Sequence, residues 1–101
     1  MAWVYILLCS DGTFYVGSTT NLEARLWQHE NGQGANYTRI RRPVKLVFSQ
    51  EFERVDEAFA LEKQVQNWSH TKRLALIEGR FDDLKALSKK RRAVPPNSVV
   101  E

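Results

Sequence analysis

The segment from Val4 to His29, VYILLCSDGTFYVGSTTNLEARLWQH, decides the fold, because one unbroken run carries a strand, a turn, a second strand and a helix. Residues 2 to 8 alternate, with Trp3, Tyr5 and Leu7 on one face and Val4, Ile6 and Leu8 on the other, and all are good strand formers. Ser10-Asp11-Gly12 supplies hairpin-turn chemistry, since Asp-Gly tolerates the positive φ of a tight connection, and Thr13 to Ser18 returns as a second strand. Tyr5 and Tyr15 therefore sit on adjacent antiparallel strands. Thr20-Asn21-Leu22-Glu23 has capping-box spacing, and Leu22, Arg25, Leu26 and His29 follow at helical intervals before Asn31-Gly32 ends the helix. Arg25 and His29 thus lie along the stripe that faces the sheet.

Outward from this segment, residues 33 to 43 read as a loop rich in Gly, Asn and Arg, and Val44 to Phe52 alternates again as a third strand. Pro43 is tolerable only at its start. Asp56 is placed to cap a second helix whose apolar stripe is Ala58, Leu61, Val65 and Trp68. Glu62, next to Leu61, falls inside that stripe, a carboxylate where a hydrophobe is expected. Ser69 can cap a short helix through Ile77 that Gly79 terminates, and a further helical segment is expected from about Phe81 to Lys90. These elements predict an α+β domain over residues 1–92, followed by a flexible tail over 93–101. No internal repeat or low-complexity segment interrupts them.

A chain of 101 residues supports one compact core, and 43% hydrophobic, 27% charged and 11% aromatic content is that of an ordinary globular protein. The lone Cys9 cannot form an internal disulfide, and the apolar run from Ala2 to Cys9 has no basic residues before it. Neither a secretory nor a transmembrane reading follows, so the expected location is cytoplasmic, with no membrane partner. The net charge of +3 is segregated: Arg39, Arg41, Arg42 and Lys45 form one basic run, Lys85 to Arg92 another, and acids gather between Glu51 and Glu62. Such segregation suits a surface that holds a polyanion, although short basic runs are also ordinary solvated loops.

Trp3-Val4-Tyr5, then Tyr15-Val16-Gly17, then Arg25, His29 and a later Glu62 resemble the GIY-YIG nuclease domain over roughly residues 2 to 78. The resemblance is greatest to its small stand-alone bacterial, YhbQ-like members, which also share the character of Ala35-Asn36-Tyr37-Thr38, Arg41-Arg42-Pro43 and Ala60-Leu61-Glu62-Lys63. Trp3, Val4 and Val16 depart from the family motif, while both tyrosines and Gly17 are kept. The resemblance implies a three-stranded antiparallel sheet flanked by helices. It also implies phosphodiester hydrolysis with one divalent metal ion, Mg²⁺ or alternatively Mn²⁺.

Hydrolysis of a phosphodiester needs an activated water, neutralisation of charge on the phosphoryl oxygens and help for the leaving oxygen. Glu62 is the metal candidate, since a single carboxylate plus retained waters and a substrate phosphate commonly holds Mg²⁺; the alternative is a helix-surface glutamate. Arg25 offers a planar fork of donors for the scissile phosphate, or a stem that covers apolar surface. One of Tyr5 and Tyr15 would take a proton from water while the other positions it. The resemblance favours Tyr5 as the base, against a phenol pKa of about 10 and against simple cross-strand packing. His29 can assist proton transfer or hydrogen-bond a tyrosine, or be a satisfied buried histidine. Gly17 lets a backbone or phosphate come close, or marks a bulge.

For DNA contact the candidates are Asn36, Thr38, Arg39, Arg41 and Arg42, with Tyr37 stacking on an unpaired base, and Lys63, Lys72 and Arg73 extending the surface. The expected function is a metal-dependent DNA endonuclease acting on branched, nicked or single-stranded DNA in repair or recombination, with a protein partner possible for targeting. Its rivals are a non-catalytic nucleic-acid-binding module on the same fold and a small interaction protein with an acidic partner. His70 and Cys9 have no zinc-ligand spacing and are assigned no chemistry.

Overall fold

The computed structural model describes residues 1–79. The expected helix over 81–90, the second basic run and the tail over 93–101 lie outside them. Three strands form one antiparallel sheet in the order β2-β1-β3, from β1 (Ala2–Leu8), β2 (Phe14–Thr19) and β3 (Lys45–Phe52). Helices α1 (Leu22–Glu30), α2 (Asn36–Arg39) and α3 (Val55–Gln66) complete the unit Met1–Gln66. A second unit begins at Asn67 and contains α4 (His70–Ile77), whose N-cap Ser69 accepts a hydrogen bond from the Lys72 amide, as its sequence predicts.

The central strand is the most apolar, and it is central for that reason. Val4, Ile6 and Leu7 are fully buried and Tyr5 is 1% exposed, so β1 takes a partner on each edge and loses both faces to the core. Its register with β2 pairs Tyr5 with Gly17 and Leu7 with Tyr15, which puts the two tyrosines on one face, diagonally across the ladder. On β3 a register shift falls between Ile6 and Leu7. The β1–β2 turn uses the Asp-Gly pair as expected: Gly12 has φ +85°, and the Asp11 carboxylate accepts from both the amide and the hydroxyl of Thr13.

Local structure departs from the sequence reading at three places. The N-cap of α1 is Asn21, one residue later than the Thr20 of the capping-box register; its Oδ1 accepts from the Ala24 amide, while Thr19 Oγ1 accepts from the Asn21 amide. Asp56 lies in the first turn of α3 instead of capping it, held by Arg54 through two hydrogen bonds of 3.0 Å, and the helix stops at Gln66, short of Trp68. Residues 33–43 are not all loop, since α2 forms one turn there and closes on Ala35 as N-cap. A single turn shows no periodicity for a sequence to reveal.

Candidate active site

Five of the predicted residues, Gly17 among them, meet on one face of the sheet. Tyr5 comes from β1 and Tyr15 from β2, and by strand alternation Gly17 shares their face. Gly17 permits the arrangement: a Cβ there would lie 2.6 Å from the Tyr5 hydroxyl oxygen and 3.2 Å from Cε2 of Tyr15. The glycine is neither at a bulge nor at positive φ; what its missing side chain provides is room for the Tyr5 phenol. His29 reaches the same place from the last turn of α1, with ring centroids 5.7 Å from Tyr5 and 5.2 Å from Tyr15. One turn earlier on that helix, half-buried Arg25 stands near enough for its charge to act on both tyrosines and donates to Gln28 Oε1 at 2.8 Å.

His29 is fully buried and engaged at both nitrogens, Nε2 with the Tyr5 hydroxyl at 2.9 Å and Nδ1 with Thr38 Oγ1 at 2.7 Å. Gly34 makes this contact possible, because a Cβ there would collide with the His29 ring at Nδ1. Burial, reinforced by the Arg25 charge, holds the His29 pKa down at about 4, so the imidazole is neutral at neutral pH. Burial also pushes Tyr5 up to about 12, over the lowering pull of Arg25. At Tyr5, desolvation of the phenolate outweighs the guanidinium.

Glu62 approaches from α3 and is half-buried. Ser18, the residue after Gly17 and so on the other face of β2, donates to its Oε1 at 2.5 Å. Gln66, one turn further along α3, donates to its Oε2 at 2.7 Å and to the Val16 carbonyl at 3.2 Å. Both donors are neutral, so they orient the carboxylate without cancelling its charge, and that charge acts on Tyr5. Each oxygen keeps a lone pair beyond these bonds. Among the described residues no group of three or more His, Cys, Asp or Glu side chains stands together as a metal-ligand set.

These geometric features coincide with a sequence match: the GIY-YIG catalytic domain model matches residues 1–75. The chain belongs to the GIY-YIG family. Among its relatives, a UPF0213 protein of Staphylococcus saprophyticus is 44% identical over 75 residues, which cover 74% of this chain and 92% of that one. A UPF0213 protein of Staphylococcus aureus is 42% identical over 78 residues, covering 77% and 95%. The solution structure of a UPF0213 protein from Bacillus halodurans matches with a TM-score of 0.52 at 40% identity, over 77% of this chain and 84% of that one. A solution structure from E. faecalis gives 0.55 at 34% identity over 78% and 84%. The GIY-YIG fold implies a nuclease and hence a nucleic-acid substrate. No helix among the described residues is long and apolar enough to cross a membrane.

The surface expected to hold DNA on this GIY-YIG domain is partly committed elsewhere. Thr38 is fully buried beneath His29 and is no phosphate contact, which corrects its assignment. Tyr37 is not poised to stack on a base: its ring already meets Tyr15, with centroids 6.0 Å apart and planes at 27°, and the Arg41 guanidinium 3.9 Å from its centroid. Arg41 also pairs with Asp11 at 2.9 Å, while the Tyr37 hydroxyl donates to Thr13 at 2.7 Å, so both residues clasp α2 to the β1–β2 turn. Arg42 donates to the carbonyls of Arg39 and Glu30. Asn36 and Arg39 are exposed on α2, and Lys63 is exposed on α3 with its ammonium 5.0 Å from the Phe59 ring. In the second unit Lys72 is buried at 7% exposure with its ammonium 4.5 Å from the Trp68 ring, which corrects its reading as a surface cation; Arg73 is half-buried.

Three residues of the site escaped the sequence reading. Ser18 follows Gly17 directly, Gln66 stands four residues after Glu62, and Gly34 belongs to the Gly32-Gln33-Gly34 run. Helical spacing from a suspected ligand was the usable signal for Gln66.

Proposed function

We propose that this chain is a divalent-metal-dependent endonuclease that hydrolyses DNA phosphodiesters, recognising branched, nicked or single-stranded shape in repair or recombination. The observation that carries this reading is the convergence of Tyr5, Tyr15, Arg25 and His29 around Gly17, with the Glu62 carboxylate held one residue away by Ser18. Arg25 supplies a two-pronged donor for a phosphoryl oxygen, with its guanidinium steadied by Gln28. Glu62, oriented by Ser18 and Gln66, would hold an ion of the Mg²⁺ or Mn²⁺ class. Such an ion, when bound, supplies charge for the phosphoryl oxygens and acidity for a bound water.

The proton acceptor is the Tyr5–His29 pair acting together. With a pKa of about 12, only about one Tyr5 in 10⁵ is ionised at pH 7, so a standing phenolate is not the base. Tyr5 can instead receive a proton on its oxygen as it gives its own to the neutral imidazole 2.9 Å away. Tyr15, half-buried and beside both Arg25 and His29, orients the water or the phosphate. The test is cleavage of labelled duplex, nicked, flap and single-stranded DNA with Mg²⁺ or Mn²⁺, with a chelator control. Metal-dependent cuts that favour a non-duplex form are expected. Tight binding with no cut under either metal would replace the reading with that of a binding module.

A further inference from the structure

Thr38 sits where the sequence suggested a DNA contact, yet it is fully buried, and its hydroxyl is spoken for. Oγ1 donates to the Ala35 carbonyl at 3.0 Å, one turn back along α2. A hydroxyl has one hydrogen, so toward His29 the same oxygen can only accept. The 2.7 Å contact is therefore Nδ1–H donating to Thr38, and a neutral ring protonated at Nδ1 has a bare Nε2.

The other end of the chain of bonds accommodates this tautomer. With Nε2 bare, the Tyr5 hydroxyl donates its hydrogen to it across 2.9 Å. The Ala35 peptide carbonyl at one end thus imposes one direction on the bonds that lead to it: Tyr5 to His29, His29 to Thr38, Thr38 to Ala35. The reverse tautomer would point Nε2–H at the Tyr5 oxygen and would strand the hydrogen of a phenol that is 1% exposed.

We infer that Thr38 is a positioning residue: by accepting the Nδ1 hydrogen of His29 it holds the imidazole in the tautomer whose Nε2 faces the Tyr5 hydroxyl as a proton acceptor. The catalytic consequence rests on the nuclease reading above; the tautomer itself does not. As a water proton moves to the Tyr5 oxygen, the Tyr5 proton moves to Nε2, and the resulting imidazolium keeps its Nδ1–H bond to Thr38. The ring gains one proton and the phenol ends neutral, so the step balances without any further group. Gly34, which leaves room beside Nδ1, belongs to the same device.

The experiment is long-range ¹H–¹⁵N NMR of the full chain labelled at histidine, which distinguishes protonated from bare ring nitrogens, on wild type, Thr38→Val and Thr38→Ser at neutral pH. Wild-type His29 is expected to show a protonated Nδ1 and a bare Nε2. Thr38→Val keeps the volume but removes the acceptor, and should shift the ring toward the Nε2-protonated form; Thr38→Ser should restore the wild-type pattern. A wild-type ring protonated at Nε2, or an unchanged tautomer in Thr38→Val, overturns the inference. Should the valine variant not fold, Thr38→Ala provides the same comparison. If the DNA panel shows cleavage, Thr38→Val should slow it about 10- to 100-fold and alter its pH profile, with serine rescuing both, a size in keeping with the loss of general acid–base assistance. Shifted tautomers beside a wild type that never cuts DNA would sustain this inference while removing the nuclease reading.

Discussion

Gly17→Ala isolates the packing on which the site depends. The backbone there has no positive φ, so alanine brings no backbone strain, only a methyl group. That methyl would sit 2.6 Å from the Tyr5 oxygen and 2.7 Å from Cζ, so ordinary contact at 3.4 Å requires about 0.8 Å of retreat by difference. The phenol has little room to retreat, since it is 1% exposed and hydrogen-bonded to a fully buried His29. Overpacking of this kind costs about 1–3 kcal/mol, against about 0.5–1 kcal/mol that alanine gains over glycine in a strand, for a net loss of about 1–2 kcal/mol. For a unit of this size that lowers Tm by roughly 5–15 °C. Displacement of a reacting group by nearly 1 Å costs about 10²-fold in rate. Thermal unfolding and single-turnover cleavage would be compared with Gly12→Ala, where nothing lies within 4 Å of the new methyl but φ is +85°. Gly12→Ala should lose about 1–2 kcal/mol through backbone strain and keep its cleavage rate. A Gly17→Ala protein with both wild-type Tm and wild-type cleavage would refute the claim that Tyr5 is wedged against this glycine.

Stability should also report on His29: its folded pKa of about 4 lies below the unfolded 6.5, so the unfolded chain binds the extra proton between those values. Stability is therefore full above about pH 6.5 and declines by about 3 kcal/mol as pH falls toward 4, a slope that urea unfolding should show and that His29→Gln should flatten. Glu62→Gln should weaken Mn²⁺ binding measured by calorimetry, with Ser18→Ala giving a smaller loss because it frees the carboxylate's orientation and leaves its charge; equal binding by Glu62→Gln would exclude Glu62 as the ligand. Arg39→Ala should reduce the salt dependence of duplex binding by about one unit of slope, as expected for one lost phosphate contact, whereas Arg41→Ala should cost up to about 1 kcal/mol of stability through its lost Asp11 pair. Identical salt slopes for wild type and Arg39→Ala would remove Arg39 from the DNA surface.

Where the chain repeats a pattern over several residues, the sequence was a good guide. Alternation in β1, β2 and β3 marked the three strands and the helical interval from Arg25 to His29 marked the face that meets Tyr5, because periodicity integrates over a whole element, while their union in one antiparallel sheet was what the family resemblance implied. The anomaly of a carboxylate at Glu62 inside an apolar stripe likewise pointed to a half-buried side chain, here satisfied by Ser18 and Gln66. Misreadings cluster in residues 36–42. Nothing local distinguishes a buried Thr38 from a surface threonine when its partner, His29, is nine residues away and the turn that carries it is too short to show a face. Arg41 reads as a phosphate clamp until Asp11 and the Tyr37 ring, one of them thirty residues distant, take up its guanidinium. Tyr5 taught the same lesson about energetics: a neighbouring arginine is visible in sequence, but the desolvation that outweighs it appears only when the core is assembled.

The most direct test of the central claim separates holding DNA from cutting it. Wild type and Glu62→Ala would be compared for DNA binding in chelator and for single-turnover cleavage in Mg²⁺ or Mn²⁺, on whichever of the duplex, nicked, flap and single-stranded forms is cut best. The account expects equal binding by the two proteins and cleavage by wild type alone. Cleavage at equal rates by both, or tight binding by wild type with no cleavage of any form under either metal, would contradict it.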